Sequence, residues 1–283
     1  MRNIYGVFII LVIVFICTNA CQRKETLVPD PGVVSFSFRD YFAKDIPGTL
    51  DLIKDMGITN IEFSNLFGST AGEIRQMLDE REMICTSYGV SYDALNSNIE
   101  QVIRDAKELG ANYVRVAWIP HEGDFTIEDA RRAVTDFNHA GHILHERGLF
   151  FCYHNHGYEF SHYKDGTLFD YIVQNTNPRF VSFELDLLWT VHPGIDPVEL
   201  LYTYPDRFRL MHLKDLKKDA TGDFSGRTSR ENDVVLGTGQ VDFPAVLQAA
   251  QYTNIEHYYI EDESPDVIER IPASRKYIMS IRD

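Results

Sequence analysis

Short apolar runs alternate with amphipathic segments along almost the whole chain, and this alternation limits the possible folds more than any other feature. Each run has the length of a buried strand, and each is followed by a segment with helical spacing. Eight strands that each precede a helix are typical of a (β/α)8 TIM barrel, an α/β fold, in a single domain. A doubly wound sheet is the alternative, but a helix after the eighth strand favours the closed barrel. The predicted strands cover residues 33–38, 58–64, 83–88, 112–119, 149–155, 180–186, 209–215 and 257–263.

The predicted helices have recognisable ends. Gly57, Gly110 and Gly148 each follow a helical segment, at the position where C-terminal caps occur. Pro272 lies inside the last helical segment, so we expect a kink or a break there. The predicted helices cover residues 46–57, 69–81, 92–110, 126–148, 167–176, 196–204, 242–253 and 264–281.

The first twenty residues differ from the rest of the chain. Arg2 is their only charge, and Ile4–Ile16 is almost wholly apolar. This run is shorter than a membrane span of about 20 residues, but it has the length of the apolar region of a secretory signal. The following "TNAC" resembles a bacterial lipoprotein cleavage site, although Thr18 stands where that motif usually has an aliphatic residue.

We therefore expect residues 1–20 to be a lipoprotein signal peptide and Cys21 to carry the lipid. Residues 21–32 then form a tether, and residues 33–283 form the barrel. The alternatives are a plain signal peptide and an uncleaved anchor. The expected location is outside the cytoplasmic membrane, facing the periplasm or the cell surface, with membrane contact only through the lipid.

Charge and cysteine content narrow the classes of partner. The formal net charge is −15, and such an acidic surface repels phosphate backbones, so we expect no nucleic-acid partner. Cys85 and Cys152 both lie in apolar runs, which favours two buried thiols over a disulfide.

Polar side chains gather where the predicted strands end. In a (β/α)8 barrel the carboxyl ends of the strands form one face, and that face carries the chemistry. Carboxylates and a histidine from several strands form a ligand set that suits Mn2+, Mg2+, Co2+ or Fe2+. A ring of salt bridges is the alternative. The polar strand-end residues are Glu62, Arg115, Trp118, His121, His154, Asn155, His156, Glu159, Glu184, Asp186, Trp189, His212, Lys214, Asp215, Glu261, Asp262 and Glu263.

Four motifs in order carry a resemblance to a known family. They are "YHNHGYEF", "FELDLLWTVHPGIDP", "MHLKD" and "GTGQVDF". Together they resemble the xylose isomerase-like TIM barrel superfamily and its sugar phosphate isomerase/epimerase group. The superfamily also contains inosose dehydratases, hydroxypyruvate isomerases and endonuclease IV, but the acidic charge argues against the last.

The resemblance implies one divalent metal ion, with Mn2+, Mg2+ or Co2+ favoured and Zn2+ possible. Its implied ligands are Glu159, Asp186, His212 and Glu261. Glu159 lies just past the fifth strand, so His156 or His154 is the substitute if Glu159 does not reach inward. Strand alternation puts Asn155 and Glu159 on one side and His154 and His156 on the other, unless Gly157 bends the chain.

A metal that binds a carbonyl and a neighbouring hydroxyl of a sugar stabilises the enediolate formed by proton removal. Isomerisation, epimerisation and loss of a leaving group all start from that species. The main hypothesis is therefore a sugar isomerase or epimerase, and the alternatives are a lyase or hydratase and a non-catalytic sugar-binding lipoprotein. Because phosphorylated sugars are chiefly cytoplasmic, we expect an unphosphorylated sugar or keto-sugar. The candidate catalytic residues are Glu159, Glu261, His156 and Lys214, and the candidate substrate-binding residues are His154, Trp118, Trp189 and Arg115.

Three further sequence patterns could suggest functional sites. Two of them have a simpler structural interpretation, and the third has two possible interpretations. His139, His142 and His145 lie on a helix that packs outside the barrel, so we expect ordinary, partly exposed histidines. The "LGTGQ" segment lacks the third glycine of a dinucleotide site and is typical of a turn. The long, charged segment 214–235 follows the seventh strand, where it is either a lid or a surface insertion.

Overall fold

The computed structural model describes residues 27–281, and eight parallel strands in it close into a barrel. Each strand pairs with the next in chain order, and β8 pairs with β1 through Gly32 opposite Tyr259. The predicted TIM barrel is confirmed. The barrel strands are β1 (Gly32–Val34), β2 (Asn60–Phe63), β3 (Ile84–Gly89), β4 (Tyr113–Val116), β5 (Phe150–His154), β6 (Val181–Asp186), β7 (Phe208–Leu213) and β8 (His257–Ile260). Outside the barrel, His162–Tyr163 pairs with Gly166–Thr167 in a small antiparallel sheet.

The first strand is shorter than the sequence predicts. It ends at Val34, and Ser35–Phe38 forms a 3-10 helix instead. The Ser35 hydroxyl accepts a hydrogen bond from the Ser64 N–H, so it ties this turn to the end of β2. The alternating serine and phenylalanine residues fit a strand as well as a 3-10 helix. The contact with Ser64, which lies far along the chain, could not be predicted from this pattern.

The helices surround the barrel, and those after β2, β4 and β5 begin with capping boxes at Thr70, Thr126 and Thr167. The predicted helix 92–110 is divided at Asn98, whose φ of −141° is not helical. Pro272 does not break the last helix, which is continuous across it. The helices are α1 (Arg39–Phe42), α2 (Ile46–Asp55), α3 (Ala71–Asp79), α4 (Tyr92–Ser97), α5 (Ile99–Leu109), α6 (Ile127–Glu146), α7 (Leu168–Asn175), α8 (Leu187–Val191), α9 (Pro197–Thr203), α10 (Phe243–Ala250) and α11 (Val267–Ile278).

The apolar core has two parts, and their boundary positions the polar residues. The larger part fills the space between strands and helices, and Tyr153 of β5 belongs to it. A smaller cluster inside the barrel contains Val34, Tyr113, Cys152, Leu210 and Tyr259. Side chains two residues further along these strands share the same inward face, so they form the next layer up.

Both described cysteines, Cys85 and Cys152, are buried free thiols, as predicted. The predicted signal peptide, tether start and Cys21 lie outside the described residues. Between residues 27 and 281, none of the helices is long and apolar enough to cross a membrane.

Candidate active site

Six charged or titratable side chains form the inward layer above the apolar cluster. All are nearly inaccessible to solvent, and each comes from a different strand or strand end. Burying so many ionisable groups is unfavourable unless they are paired or hold an ion, so the layer is typical of a functional site. The six are Glu62, Arg115, His154, Glu184, His212 and Glu261.

His212 lies at the centre of four carboxylates. Its Nε2 atom is 2.9 Å from Glu62 Oε1 and 3.2 Å from Glu184 Oε2. Its Nδ1 atom is 2.8 Å from Glu261 Oε2 and 3.7 Å from Asp186 Oδ2. These carboxylates raise the pKa of His212 well above its usual value, although burial alone would lower it.

Two buried cations neutralise only part of this negative charge. Arg115 Nη2 lies 2.5 Å from Glu62 Oε1, and Arg115 Nε lies 3.3 Å from Glu184 Oε2. Lys214 Nζ lies 2.8 Å from Glu263 Oε1 and 3.5 Å from Glu261 Oε1. Both cations are therefore fully engaged with carboxylates of the protein.

The carboxyl groups respond differently to the shared environment. Although burial raises the pKa of Glu62, Arg115 and His212 together lower it to about 2. Lys214 and His212 likewise hold the pKa of Glu261 below its usual value against the effect of burial. Burial and the neighbouring Glu62 carboxylate raise the pKa of Glu184 to about 7. Glu62 and Glu261 are therefore ionised beside their cations, whereas Glu184 is partly protonated near neutral pH.

The donor atoms fit a divalent cation. One candidate group joins Asp186, His212 and Glu261, and a second joins His154, Glu184 and His212; within each, the ligand atoms lie within 4.8 Å of one another. Ligands at about 2.0–2.2 Å from a small divalent ion lie a few ångströms apart, which these groups approach.

Unpartnered carboxylate oxygens support this fit. Asp186 Oδ2 and Glu184 Oε1 are buried and have no hydrogen-bond partner. Asp186 Oδ1 accepts from the Trp189 N–H as the N-cap of α8, so the cap fixes the carboxylate and leaves Oδ2 for another ligand. His212 can offer Nδ1 to an ion on the Asp186 side while Nε2 donates to Glu62, an arrangement that orients metal-binding histidines.

The structure does not bring Glu159 into either candidate group. Its Oε1 atom accepts hydrogen bonds from the Tyr153 hydroxyl and the His156 N–H, both at 2.8 Å. Tyr153 belongs to the outer core and packs 5.0 Å from Phe137 of α6. Burial raises the pKa of Glu159 to about 7. Glu159 therefore supports the loop after β5, and this placement argues against its predicted roles as first metal ligand and base.

The local backbone explains this placement. Gly157 has a φ of +98°, and Tyr158–Phe160 then forms a 3-10 helix, so the chain turns before Glu159. His154 takes the inward position: its Nδ1 is 3.0 Å from Glu184 Oε2, and its ring is 4.6 Å from that of His212. His156 follows on the same side, as strand alternation predicts.

A cavity of about 570 Å3, here called the main cavity, opens above the charged layer. His156 stacks on Trp189 with ring centroids 4.5 Å apart, and Trp118 meets His156 edge to face at 5.2 Å. Lys214 Nζ lies 5.6 Å from the Trp189 ring. The predicted substrate-binding and catalytic residues that line the main cavity are Arg115, Trp118, His154, His156, Trp189 and Glu261.

The predicted ligand set omits two carboxylates of the charged layer, Glu62 and Glu184. Both appear among the polar strand-end residues, but neither belongs to the set that the family resemblance implies. Glu184 lies two residues before Asp186, so the strand period of two puts both on the inward face. The strand period alone could therefore have placed Glu184 among the inward-facing candidate ligands.

Lys214 Nζ also lies 3.8 Å from Asp233 Oδ2. The sequence did not indicate this pair, because Asp233 lies in a loop.

The long segment after β7 packs against the rim of the main cavity. Gly222 lies so close to His192 that an added Cβ would be 1.5 Å from the His192 carbonyl oxygen. Gly226 has a φ of +65°, and its Cβ would be 2.9 Å from the His156 carbonyl oxygen. The Arg227 guanidinium lies 5.6 Å from the Trp118 ring. The segment thus has the position expected of a lid.

The "LGTGQ" turn is explained by Asp215. Its carboxylate accepts hydrogen bonds from the N–H groups of Gly237, Gly239 and Val241. The amides that would bind a phosphate in a dinucleotide site are therefore occupied by a side chain of the protein.

Comparison with known proteins agrees with the fold. A family model for the xylose isomerase-like TIM barrel matches residues 50–281, so the chain belongs to that family. An inosose dehydratase from Geobacillus kaustophilus is 25% identical over 248 residues, which cover 72% of this chain and 78% of the relative.

Two solved structures share the fold. A sugar phosphate isomerase/epimerase from Parabacteroides distasonis has a TM-score of 0.73 at 23% identity, covering 93% of this chain and 96% of that one. The IolI protein with a bound zinc atom has a TM-score of 0.71 at 15% identity, covering 90% and 99%. The family and its inosose dehydratase relative support a sugar-modifying enzyme, and the two solved structures support the fold.

Proposed function

We propose that this protein is a divalent-metal-dependent sugar isomerase or epimerase that acts on an unphosphorylated sugar or keto-sugar. The observation that carries the proposal is the buried layer of carboxylates around His212, with unpartnered oxygens at Asp186 and Glu184, beneath a cavity with two tryptophans. The described residues thus offer donor atoms for a cation and a wall for a sugar ring at one place.

Asp186, His212 and Glu261 would hold the ion, with His154 and Glu184 beside it. When bound, a divalent ion supplies Lewis-acid stabilisation of the negative charge on a sugar oxygen after proton removal. Mn2+, Mg2+, Co2+ and Zn2+ are the ions to compare at this site.

The chain's own residues orient the sugar and move the proton. His156 lines the main cavity, and its buried Nδ1 atom has no hydrogen-bond partner. Burial and nearby Lys214 lower the pKa of His156 to about 3, so its imidazole is neutral with an open acceptor nitrogen, although so low a pKa makes it a weak base. Glu261 is the alternative base, since it also lines the cavity. Trp189 holds the His156 ring by stacking, which fixes the direction of its nitrogen atoms.

The electrostatics of the main cavity favour an uncharged substrate. Arg115 and Lys214 are both engaged by carboxylates, and Arg39 pairs with Glu263 at 3.2 Å. A phosphate group would have to displace these carboxylates to bind a buried cation, which is costly. The cavity therefore supports a sugar without a phosphate.

The test compares matched substrates with metal-loaded enzyme. Free and phosphorylated forms of the same keto-sugar are incubated with Mn2+-loaded protein, and deuterium incorporation from solvent and product identity are measured by NMR. We expect exchange and turnover with the free form and loss of both in Asp186→Asn. Preference for the phosphorylated form, or metal-independent turnover, would contradict the proposal.

The second candidate is a lyase or dehydratase at the same site, and the inosose dehydratase relative favours it. Both reactions begin with proton removal beside a carbonyl, but only the lyase loses a leaving group. Products separate the two candidates: an isomer or epimer supports the first, and an unsaturated product with released water or alcohol supports the second.

We also propose that the enzyme is an exported lipoprotein anchored through Cys21, because a charged, polar segment follows the apolar N-terminal run directly after this cysteine. Labelling with a palmitate analogue tests this proposal. We expect the full chain to incorporate the label and Cys21→Ala to lose it. Equal labelling of both forms would contradict the assignment.

A further inference from the structure

A second cleft of about 720 Å3, here called the side cleft, lies beside the main cavity. It is bounded by the loop after β4 and by the lid segment after β7. Small-molecule sites usually enclose roughly 300–1,000 Å3, so the side cleft is large enough for a ligand of its own. Its lining residues are Trp118, His121, Gly123, Asp124, Phe125, Ser161, Asp223, Phe224, Ser225 and Arg227.

Trp118 lines both the side cleft and the main cavity. A ligand that passes this indole can therefore place one part above the charged layer and another part in the side cleft. The proposed reaction needs only the first part, so the side cleft has no role in the chemistry at the metal-binding residues. Its position instead suits a substituent on the reacting sugar.

The polar groups of the side cleft are more available than those of the main cavity. Between residues 27 and 281, no ion pair or hydrogen bond involves the Arg227 guanidinium or the Asp124 carboxylate. Arg227 is instead held over the Trp118 ring at 5.6 Å. The Asp223 carboxylate accepts from the Ser225 N–H at 2.8 Å and shapes the lid turn.

The balance of charge indicates the class of ligand. Two carboxylates, Asp124 and Asp223, face one arginine, so the cleft does not favour an anion. Aromatic surface from Trp118, Phe125 and Phe224 adjoins these polar groups. Aromatic faces beside unpaired donors and acceptors suit a hydroxylated ring, whose C–H face packs on carbon while its hydroxyls form hydrogen bonds.

We propose that the side cleft is a subsite for a second, uncharged sugar unit, so that the substrate is a glycoside with its reacting sugar in the main cavity. This inference deepens the proposed function and depends on it for the reaction, but not for binding. Phe224 and Arg227 are then specificity-determining residues supplied by the lid.

The kinetic test compares 3-keto-glucose, methyl 3-keto-glucoside and the corresponding 3-keto-disaccharide, maltose oxidised at the reacting ring. We expect the disaccharide to have the highest kcat/KM, chiefly through a lower KM. In Phe224→Ala and Arg227→Ala, we expect the preference for the disaccharide over the methyl glycoside to fall roughly 10- to 200-fold. Tyr252→Ala, an exposed aromatic at the opposite end of the barrel, is the matched control and should keep the wild-type preference.

A binding measurement separates this inference from the proposed function. The chain has two tryptophans, Trp118 and Trp189, and both line the main cavity. Fluorescence excited at a wavelength that the 15 tyrosines do not absorb therefore reports on this region. If none of the three compounds reacts, the proposed function fails, but tighter fluorescence-detected binding of the disaccharide, weakened in Phe224→Ala, still supports the subsite. The subsite would be contradicted if the protein bound all three compounds with equal affinity. It would also be contradicted if the variants lost affinity equally for all three. Stronger binding of a phosphorylated or carboxylated glycoside than of the neutral one would overturn it as well.

Discussion

At the scale of single residues, the feature that defines the site is a set of buried carboxylate oxygens without hydrogen-bond partners. Arg115 engages Glu62 and Glu184, and Lys214 engages Glu261 and Glu263. Asp186 Oδ2 and Glu184 Oε1 nevertheless have no hydrogen-bond partner. An apolar replacement would be cheaper for stability alone, because buried charges cost more in desolvation than they recover. The arrangement is therefore better explained by a bound cation than by folding.

Glu62 should orient His212 without itself binding the ion. It lies 2.9 Å from Nε2, whereas Nδ1 faces Asp186 and Glu261. We expect Glu62→Gln to weaken Mn2+ binding roughly 10- to 100-fold, as loss of an outer-sphere partner usually does. Isothermal titration calorimetry measures this change, and Glu128→Gln on the exposed face of α6 is the control. An unchanged affinity would mean that Glu62 has no such role.

Glu159 should make stability depend on pH. Burial raises its folded pKa from 4.5 to about 7, so the folded state favours the protonated form. The resulting stabilisation is complete below pH 4.5 and is lost as pH rises through 7, by about 3 kcal/mol in the limit. Glu159→Gln should remove this part of the pH dependence of unfolding free energy, measured by urea unfolding between pH 4.5 and 7.5, and leave the part that Glu184 contributes. The prediction fails if wild type and variant show parallel pH profiles.

At the scale of elements, close backbone contacts position the segment after β7. Gly222 and Gly226 allow the segment after β7 to approach the carbonyl groups of His192 and His156. The long, charged sequence of this segment fits a lid and a surface insertion equally well, and the packing of these two glycines favours the lid.

Gly222→Ala should displace the lid. Its added Cβ would lie 1.5 Å from the His192 carbonyl oxygen, so the segment must move away. We expect kcat/KM to fall by up to about 100-fold, because small misplacements of substrate-contacting groups are costly. The melting temperature should change little, since the core is untouched. Lys218→Ala, an exposed change in the same segment, is the control, and wild-type kinetics in Gly222→Ala would refute the role of this contact.

At the scale of the whole molecule, the barrel brings together residues that are distant in sequence. Glu62 and His212 are 150 positions apart and lie within hydrogen-bond distance. Strands β2, β4, β5, β6 and β7 each contribute one member of the charged layer, and Glu261 follows β8. Binding at such a site connects strands from around the barrel, so it should stabilise the whole fold.

Metal binding should therefore raise the melting temperature. At a free Mn2+ concentration 100 times its dissociation constant, linkage predicts about 2.7 kcal/mol of stabilisation, or roughly 5–10 °C in a domain of this size. Differential scanning fluorimetry with Mn2+ and with EDTA measures the shift. Asp186→Asn should show little increase in melting temperature with Mn2+. An increase equal to that of the wild type would mean that the ion binds elsewhere.

The sequence alone determined the barrel and the location of its site. Strand and helix periods are local properties, and parallel strands place their carboxyl ends on one face, so Asp186, His212, Lys214 and Glu261 could be assigned to it. The sequence also predicted that His154 and His156 lie on the same side of the fifth strand, because side chains two residues apart in a strand share a face. The turn at Gly157 then decided where Glu159 lies, and this turn depends on contacts with Tyr153 rather than on strand period.

Only the tertiary structure decided which charged groups meet and which remain unpaired. The distances from His212 to Glu62 and Glu184, and the neutralisation of Arg115 and Lys214, depend on barrel register and closure. The side cleft likewise exists because the lid packs against the loop after β4. Periodicity in a sequence specifies the face that a side chain occupies, but the partners it meets across the barrel follow from how all eight strands close.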